Sequence, residues 1–347
     1  MGKSTKKEQG ITGQRIIKHP KGKALANKKL MWRRGNPKHI NICKILIQKM
    51  KNKIIILGSS GFIGNQLLKQ FSKDGKFKVI GYSSRNCNLL SMQSVLDKLS
   101  IVKQEDIIIM TSAITRSNEN SFAAMLQNIT MAENVSQFIK KNKVKYFIFL
   151  STIEVYGIQK NNKEINEKTM SNPNNYYSIS KISSEFLIRT CCKINNIPLL
   201  ILRLPGVYGS GDKDKSTIYN IVNSAISKEK ITILGDGEVK RDYIYVEDIY
   251  KLIKNAIRNR TDLILNLATG RSFRIVDIAK KIKSNLSKDI KIEFKHDDIV
   301  KNSGVKITKE LNFDISLLNK IFPELKLTRL EDGLKNYILD FNKKGGL

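Results

Sequence analysis

Tyr177 and Lys181, four apart in Tyr177-Ser178-Ile179-Ser180-Lys181, are the residues best suited to chemistry. On a helix this spacing puts both side chains on one face. An ammonium beside a phenol stabilises the phenolate and draws the phenol down from its usual pKa of about 10. Such a phenol can pass a proton to or from an alcohol or ketone oxygen while a hydride moves at the carbon that bears it. Alone the pair is a weak signal, since exposed helices carry many like it. Its weight comes from Thr152, upstream in Ser151-Thr152-Ile153-Glu154-Val155-Tyr156-Gly157, at the end of an apolar run. In an open α/β sheet the residues just past the carboxyl ends of strands face the ligand crevice. A hydroxyl there can donate to the oxygen on which Tyr177 acts.

The second chemical feature is the loop Gly58-Ser59-Ser60-Gly61-Phe62-Ile63-Gly64, between a β-branched run at Lys53–Leu57 and an amphipathic segment at Asn65–Ser72. A dinucleotide loop needs such glycines for a tight turn, close backbone approach to a pyrophosphate, and packing of helix on strand. Backbone N–H groups and the helix dipole then hold the phosphates. The next apolar run, Phe77–Tyr82, ends in Tyr82-Ser83-Ser84-Arg85 with no acid to accept from ribose hydroxyls. Two hydroxyls and a guanidinium suit a 2′-phosphate, so NADP(H) is favoured over NAD(H). Asn88 and, after the run Ile107–Met110, Ser112 and Ala113 complete the expected cofactor contacts, with Ser60, Phe62 and Ile63 from the loop.

These residues need a frame, and the apolar pattern supplies one. Strand-length runs at Lys53–Leu57, Phe77–Tyr82, Ile107–Met110, Tyr146–Leu150 and Leu199–Leu202 alternate with helical segments at Met92–Leu99, Ser121–Lys141 and Ser178–Lys193. The alternation predicts an α/β fold with a Rossmann-like, doubly wound parallel sheet. Residues 50–205 form the expected NAD(P)-binding domain. Residues 206–347, where the alternation becomes irregular, form a smaller C-terminal substrate-binding lobe interleaved with it. Residues 1–49 hold 14 Lys/Arg against one acid, Glu8, and read as a disordered extension upstream of a domain start at Met50. A basic tether or targeting segment is the alternative.

The net charge of +31 is spread along the whole chain rather than gathered in one binding element, so no specific nucleic-acid partner is expected. There is no apolar run of membrane-spanning length. The four cysteines form no CxxC pair or disulfide framework, and the three histidines lie too far apart for metal-ligand spacing. A reduced, cytoplasmic protein without a metal fits this pattern.

The order and spacing of Gly58/Gly61/Gly64, Ser-Thr-x-x-Val-Tyr-Gly and Tyr177/Lys181 resemble the extended short-chain dehydrogenases, the NAD-dependent epimerase/dehydratase family. Leu202-Arg203-Leu204-Pro205-Gly206-Val207-Tyr208-Gly209 is similar to that family's "LR…VYG" stretch, and Arg241-Asp242-Tyr243-Ile244-Tyr245-Val246-Glu247-Asp248 to its "RDFIYVDD" stretch. Asn266-Leu267-Ala268-Thr269-Gly270 is similar to its late "N…G" strand end. The likeness spans roughly residues 53–342. It implies a nucleotide-diphosphate sugar as substrate, a homodimer, and a role in making cell-surface polysaccharide precursors. It also implies Thr152, Tyr177 and Lys181 as the catalytic set, with Thr152, Glu154 and Arg241 on the substrate. Arg241 would bind the diphosphate, unless a salt bridge to Asp242 or Glu247 occupies it. Asn128 would be structural.

Two departures narrow the chemistry that the resemblance implies. The family's dehydratases need an acid–base pair after the Thr; Glu154 could be one member, but Ile153 cannot move protons. The family's diphosphate-binding Asn is replaced by Gly206. A 4-keto reductase or a 4-epimerase is therefore expected, with a 4,6-dehydratase or a catalytically silent NADP-binding module as alternatives.

Overall fold

The computed structural model of the chain describes residues 52–157, 159, 164–213, 216–286, 289–295 and 311–343. The basic extension expected over residues 1–49 lies outside them. Six strands form one parallel sheet: β1 (Lys53–Leu57), β2 (Lys78–Tyr82), β3 (Ile107–Met110), β4 (Tyr146–Thr152), β5 (Leu199–Leu204) and β10 (Leu263–Asn266). Their order across the sheet is β10-β5-β4-β3-β1-β2. The chain thus reverses direction between β1 and β3, which opens a crevice at their carboxyl ends.

The strands read as unbroken apolar runs because both faces are covered. Ile54 and Ile56 point into one core layer with Leu67 and Phe71 of α1 (Phe62–Asp74) and Ile249, Leu252 and Ile253 of α6 (Val246–Asn259). Ile55 and Leu57 point into the other, against Val95 and Leu99 of α2 (Met92–Leu99), Val135 and Phe138 of α3 (Phe122–Lys141) and Ile188 of α4 (Tyr176–Ile194). This is the predicted α/β, Rossmann-like doubly wound sheet.

A third apolar cluster lies outside the sheet. It joins α5 (Thr217–Lys228), α7 (Ile275–Ser284) and α9 (Leu330–Lys343) to Tyr208 of β6 (Gly206–Tyr208), Ile231 and Ile233 of β7 (Lys230–Leu234), and Tyr243 and Tyr245 of β9 (Tyr243–Tyr245). Strands β6 and β9 pair in parallel. The remaining short strands are β8 (Lys240–Arg241), β11 (Phe273–Arg274) and β12 (Lys291–Lys295), and α8 is Ser316–Ile321. Among the described residues no helix is long and apolar enough to cross a membrane.

Three of the boundaries that differ from the sequence reading move a candidate site residue. Helix α1 starts at Phe62, three residues before the expected Asn65, because Gly61 is its extended N-cap and Gly64 already lies in its first turn. Strand β4 runs on to Thr152. Helix α4 starts at Tyr176, because Asn175 caps it and a reciprocal bond with Ser178 completes a capping box. Tyr177 therefore lies in the first helical turn, one turn before Lys181.

Candidate active site

Helix α4 and strand β4 are pinned together directly beneath the candidate catalytic groups. Lys181 is buried, and its Nζ donates to the Leu150 carbonyl at 2.5 Å and lies 4.0 Å from the centre of the Phe149 ring. One turn on, Glu185 accepts from Ser151 Oγ at 2.5 Å and from Arg203 Nε and Nη2 at 3.0 and 2.7 Å. Arg203 also donates to the Tyr156 hydroxyl at 2.9 Å, which donates to Asn266 Oδ1 at 2.8 Å. A buried ion pair needs such additional bonds to offset the desolvation of both charges. The network fixes Ser151, and through it Thr152, against α4.

Burial pulls Lys181 down to about 7, opposed by the charge of Glu185. The Tyr177 phenol is pushed up, first by burial and then by Glu154, with Arg116 opposing. Lys181 was expected to draw it down. Desolvation of the phenolate leads the shift upward instead.

Two cavities flank this strand–helix unit. The first, of about 350 Å³, brings together Thr152, Glu154 and Arg241, with Arg116, Gly206, Thr217 and Tyr243 among the other lining residues. Thr152 Oγ1 accepts from the Glu154 N–H at 3.2 Å, which leaves its proton free to donate. Glu154 Oε2 meets Arg116 Nε at 3.4 Å and Asn175 Nδ2 at 3.2 Å. Asp242 is also among the lining residues, and its carboxylate accepts from the Thr269 and Gly270 N–H groups, both at 2.9 Å. Ile153 lines the cavity but is buried in an apolar cluster with Val155 and Ala268.

The second cavity, of about 370 Å³, lies at the sheet's crevice and brings together Gly58, Ser60, Gly61, Ser83, Ser84, Asn88, Ser112 and Ala113. Gly58 has φ +94°, and a Cβ there would sit 2.8 Å from the Ser112 nitrogen. A Cβ on Gly64 would collide with the Gly58 carbonyl oxygen, so both positions require glycine. The Tyr82 carbonyl accepts from the Gly58 and Ser59 N–H groups at 2.8 and 2.9 Å, which sets the end of β2 over the loop. Ser112 Oγ is buried without a hydrogen-bond partner. Of the described residues lining this cavity, none is acidic. Its volume, glycine-only turn and orphaned hydroxyl fit a dinucleotide.

Not every candidate joins a cavity wall. Gly64 and Ile63 support the loop, and Ile63 packs into the core. Phe62 lines a different cavity, with Gln66 and Tyr337. Arg85 is exposed and outside the lining of the second cavity, and the Ser83 hydroxyl bonds Asn86 Oδ1 at 3.2 Å. Tyr177 and Lys181 stand on α4 and belong to neither lining. Asn128 ties this helix to the cofactor side: its Oδ1 accepts from the Ile114 N–H at 2.7 Å, and its Nδ2 donates to the Ile114 carbonyl at 3.0 Å and to Ser180 Oγ at 3.1 Å. Sequence reasoning missed Arg116, Asn120, which accepts from the Tyr177 N–H at 3.2 Å, and Asn175. All three lie in polar loops with no periodicity to single them out.

The chain is similar to several characterised proteins. It is 30% identical over 266 residues to a dTDP-D-glucose 4,6-dehydratase of Dictyostelium discoideum, covering 66% of this chain and 61% of that one. It is 29% identical over 311 residues to a GDP-6-deoxy-D-talose 4-dehydrogenase of Aggregatibacter actinomycetemcomitans, covering 84% and 99%. Its fold superposes on the UDP-glucose 4-epimerase of Thermotoga maritima with a TM-score of 0.72 at 22% identity, covering 84% and 99%. The model of the NAD dependent epimerase/dehydratase family matches residues 54–268, and the chain belongs to that family.

Proposed function

We propose that this protein is a nicotinamide-dependent enzyme that moves a hydride and a proton at carbon 4 of a nucleotide-linked sugar, as a 4-keto reductase or a 4-epimerase. The observation that carries the reading is the pinning of β4 to α4 by the Lys181–Leu150 and Ser151–Glu185 bonds, the strand that bears Thr152 and the helix that bears Tyr177 and Lys181. In this reading Tyr177 is the proton donor, Thr152 orients the sugar oxygen, and Lys181 supports the phenol. Gly58, Ser60, Gly61, Ser84, Asn88, Ser112 and Ala113 hold the dinucleotide. Glu154 and Arg241 face the sugar and its diphosphate. The lobe from residue 206 onward contributes half of the residues that line the substrate side.

The bound nicotinamide would supply or accept the hydride. The chain's own task is to pass a proton to or from the sugar oxygen, which Tyr177 would do in either reaction. The absence of an acid among the described residues lining the dinucleotide cavity favours NADP(H) over NAD(H), with Ser84 in the lining and the exposed Arg85 next in sequence to meet a 2′-phosphate. Both curated relatives act, by their names, on nucleotide-linked sugars, one as a dehydratase and one as a 4-dehydrogenase. Dehydration is disfavoured by Ile153, whose buried side chain has no proton to give.

The protein would work as a cytoplasmic homodimer. Phe122 and Leu126 on α3, with Ile179 and Phe186 on the neighbouring α4, form an exposed apolar face that a second copy could cover. The enzymatic reading is tested by incubation with UDP-, dTDP- and GDP-linked sugars and their 4-keto forms, with NADPH or NADH. Loss of reduced-cofactor absorbance marks a reductase, inversion at carbon 4 without net loss marks an epimerase, and neither result with any of them overturns the reading.

A further inference from the structure

A third cavity, of about 460 Å³, takes no part in the roles above. Its volume lies within the range of small-molecule sites, about 300–1,000 Å³. Its walls come from α1, the loop after β6, α5 and α9. Hydrogen bonds hold these walls together. Gln66 Nε2 on α1 donates to the Ser210 carbonyl, and Ser210 Oγ donates to the Asp340 carboxylate on α9.

Four rings line it: Phe62 of α1, Tyr219 of α5, and Tyr337 and Phe341 of α9. The Phe341 ring centre lies 6.1 Å from that of Tyr219 and 6.0 Å from that of Tyr337. Tyr337 is 2% exposed, and its hydroxyl is buried without a hydrogen-bond partner. Burial pushes this phenol up, followed by the charges of Asp212 and Tyr219. Both of those residues line the cavity, so the hydroxyl end of the Tyr337 ring faces it. Buried phenols are seldom left unpaired, and an orphan in a cavity wall points to a ligand. Lys69 and Lys213 also line the cavity; both are exposed, and neither has an ion-pair partner among the described residues. Flat apolar faces, a phenol donor, two ammoniums and a carboxylate together fit a nucleoside monophosphate. Its base would lie among the rings and its phosphate against the lysines, with Asp340 accepting from a base N–H or a ribose hydroxyl.

We propose that this cavity is a second nucleotide site, separate from the cofactor and substrate cavities, and that its occupant controls cofactor affinity. Ser60 and Gly61 line both this cavity and the dinucleotide cavity. A nucleotide here therefore touches the loop that would cradle the pyrophosphate, and each ligand changes the affinity of the other by the same factor. The site stands on its own residues; only its action on the cofactor rests on the dinucleotide reading above.

The test is calorimetric titration of the full chain with AMP, GMP and UMP, with and without saturating NADPH. For the monophosphate bound best, Tyr337→Phe is expected to weaken binding about threefold to tenfold, the effect of one hydrogen bond, and Lys69→Ala about tenfold. Arg241→Ala, in the substrate cavity, is expected to leave this binding unchanged. Without nucleotide, Tyr337→Phe is expected to unfold at the same or a higher urea concentration than the wild type, because its hydroxyl has no partner to lose. A lower midpoint would make the hydroxyl structural and overturn its role in binding. Full affinity in both Tyr337→Phe and Lys69→Ala, or no binding of any of the three by the wild type at millimolar concentration, overturns the site. Saturation with the monophosphate is expected to shift the NADPH affinity of the wild type several-fold; an unchanged value overturns the control of the cofactor alone. Failure of NADPH to bind overturns the dinucleotide reading, and the titrations without it then decide the site.

Discussion

Lys181 Nζ donates to the carbonyl of Leu150 at 2.5 Å, so the cation on α4 is tied to the strand two residues before Thr152. This bond ties the helix of Tyr177 and Lys181 to the strand that ends in Thr152, and it carries an energetic cost. An ammonium with a single carbonyl partner and one ring face is poorly solvated, which is why burial draws Lys181 down to about 7.

That shift makes stability depend on pH. Between the folded value of about 7 and the ordinary 10.5, the unfolded chain holds this proton and the native chain releases it. Stability contributed through Lys181 therefore rises as pH rises through this window. The Tyr177 phenol, raised on folding, opposes the trend only above its ordinary 10.0. Relative to Lys181→Met, the wild type is expected to gain roughly 2–3 kcal/mol between about pH 7.5 and pH 9.5. Urea unfolding at both pH values checks this; parallel pH dependence in the two proteins would show Lys181 to be charged throughout.

The buried Glu185–Arg203 pair makes a different prediction. Removing one member strands the other charge in the core, so Arg203→Leu or Glu185→Ala is expected to cost about 3–5 kcal/mol of stability. Replacing both with apolar residues is expected to cost clearly less than the sum of the single losses. Additive losses in denaturant unfolding would show that the pair is not coupled.

Asn128 should matter to the cofactor without touching it. Asn128→Ala leaves the Ile114 N–H and carbonyl without their side-chain partners, at a cost of about 1–3 kcal/mol. Since Ile114 lines the second cavity, the variant is expected to bind reduced cofactor several-fold more weakly, measurable by fluorescence titration. Unchanged cofactor affinity would limit Asn128 to a purely stabilising role.

The exposed face of α3 and α4 predicts an assembly. Phe186, 61% exposed on α4, replaced by Glu is expected to shift the protein from dimer to monomer in sedimentation velocity. A wild-type monomer at micromolar concentration would remove this face as an interface.

Much of the frame could be read from the chain because parallel strands buried on both faces leave continuous apolar runs, such as Ile107–Met110 and Leu199–Leu204. The glycine loop was legible because Gly58 and Gly64 are demanded by backbone geometry rather than by their neighbours. Element ends were less so. Gly64 lies inside α1 despite glycine's poor helix propensity, because tight packing on Gly58 outweighs it. The roles of Glu185, Arg203 and Tyr156 were hidden, since residues distant in sequence share one buried hydrogen-bond network and no local pattern marks it. The same holds for Arg116, which becomes visible only when the 111–121 loop folds over Glu154.

The central claim is that Tyr177 delivers the proton. Its most direct test is the turnover rate of Tyr177→Phe with the nucleotide-linked sugar that the wild type converts, measured alongside cofactor affinity. The rate is expected to fall about a hundredfold to ten-thousandfold, the usual contribution of a positioned acid, with cofactor binding unaltered. A variant that turns over as fast as the wild type would contradict the account.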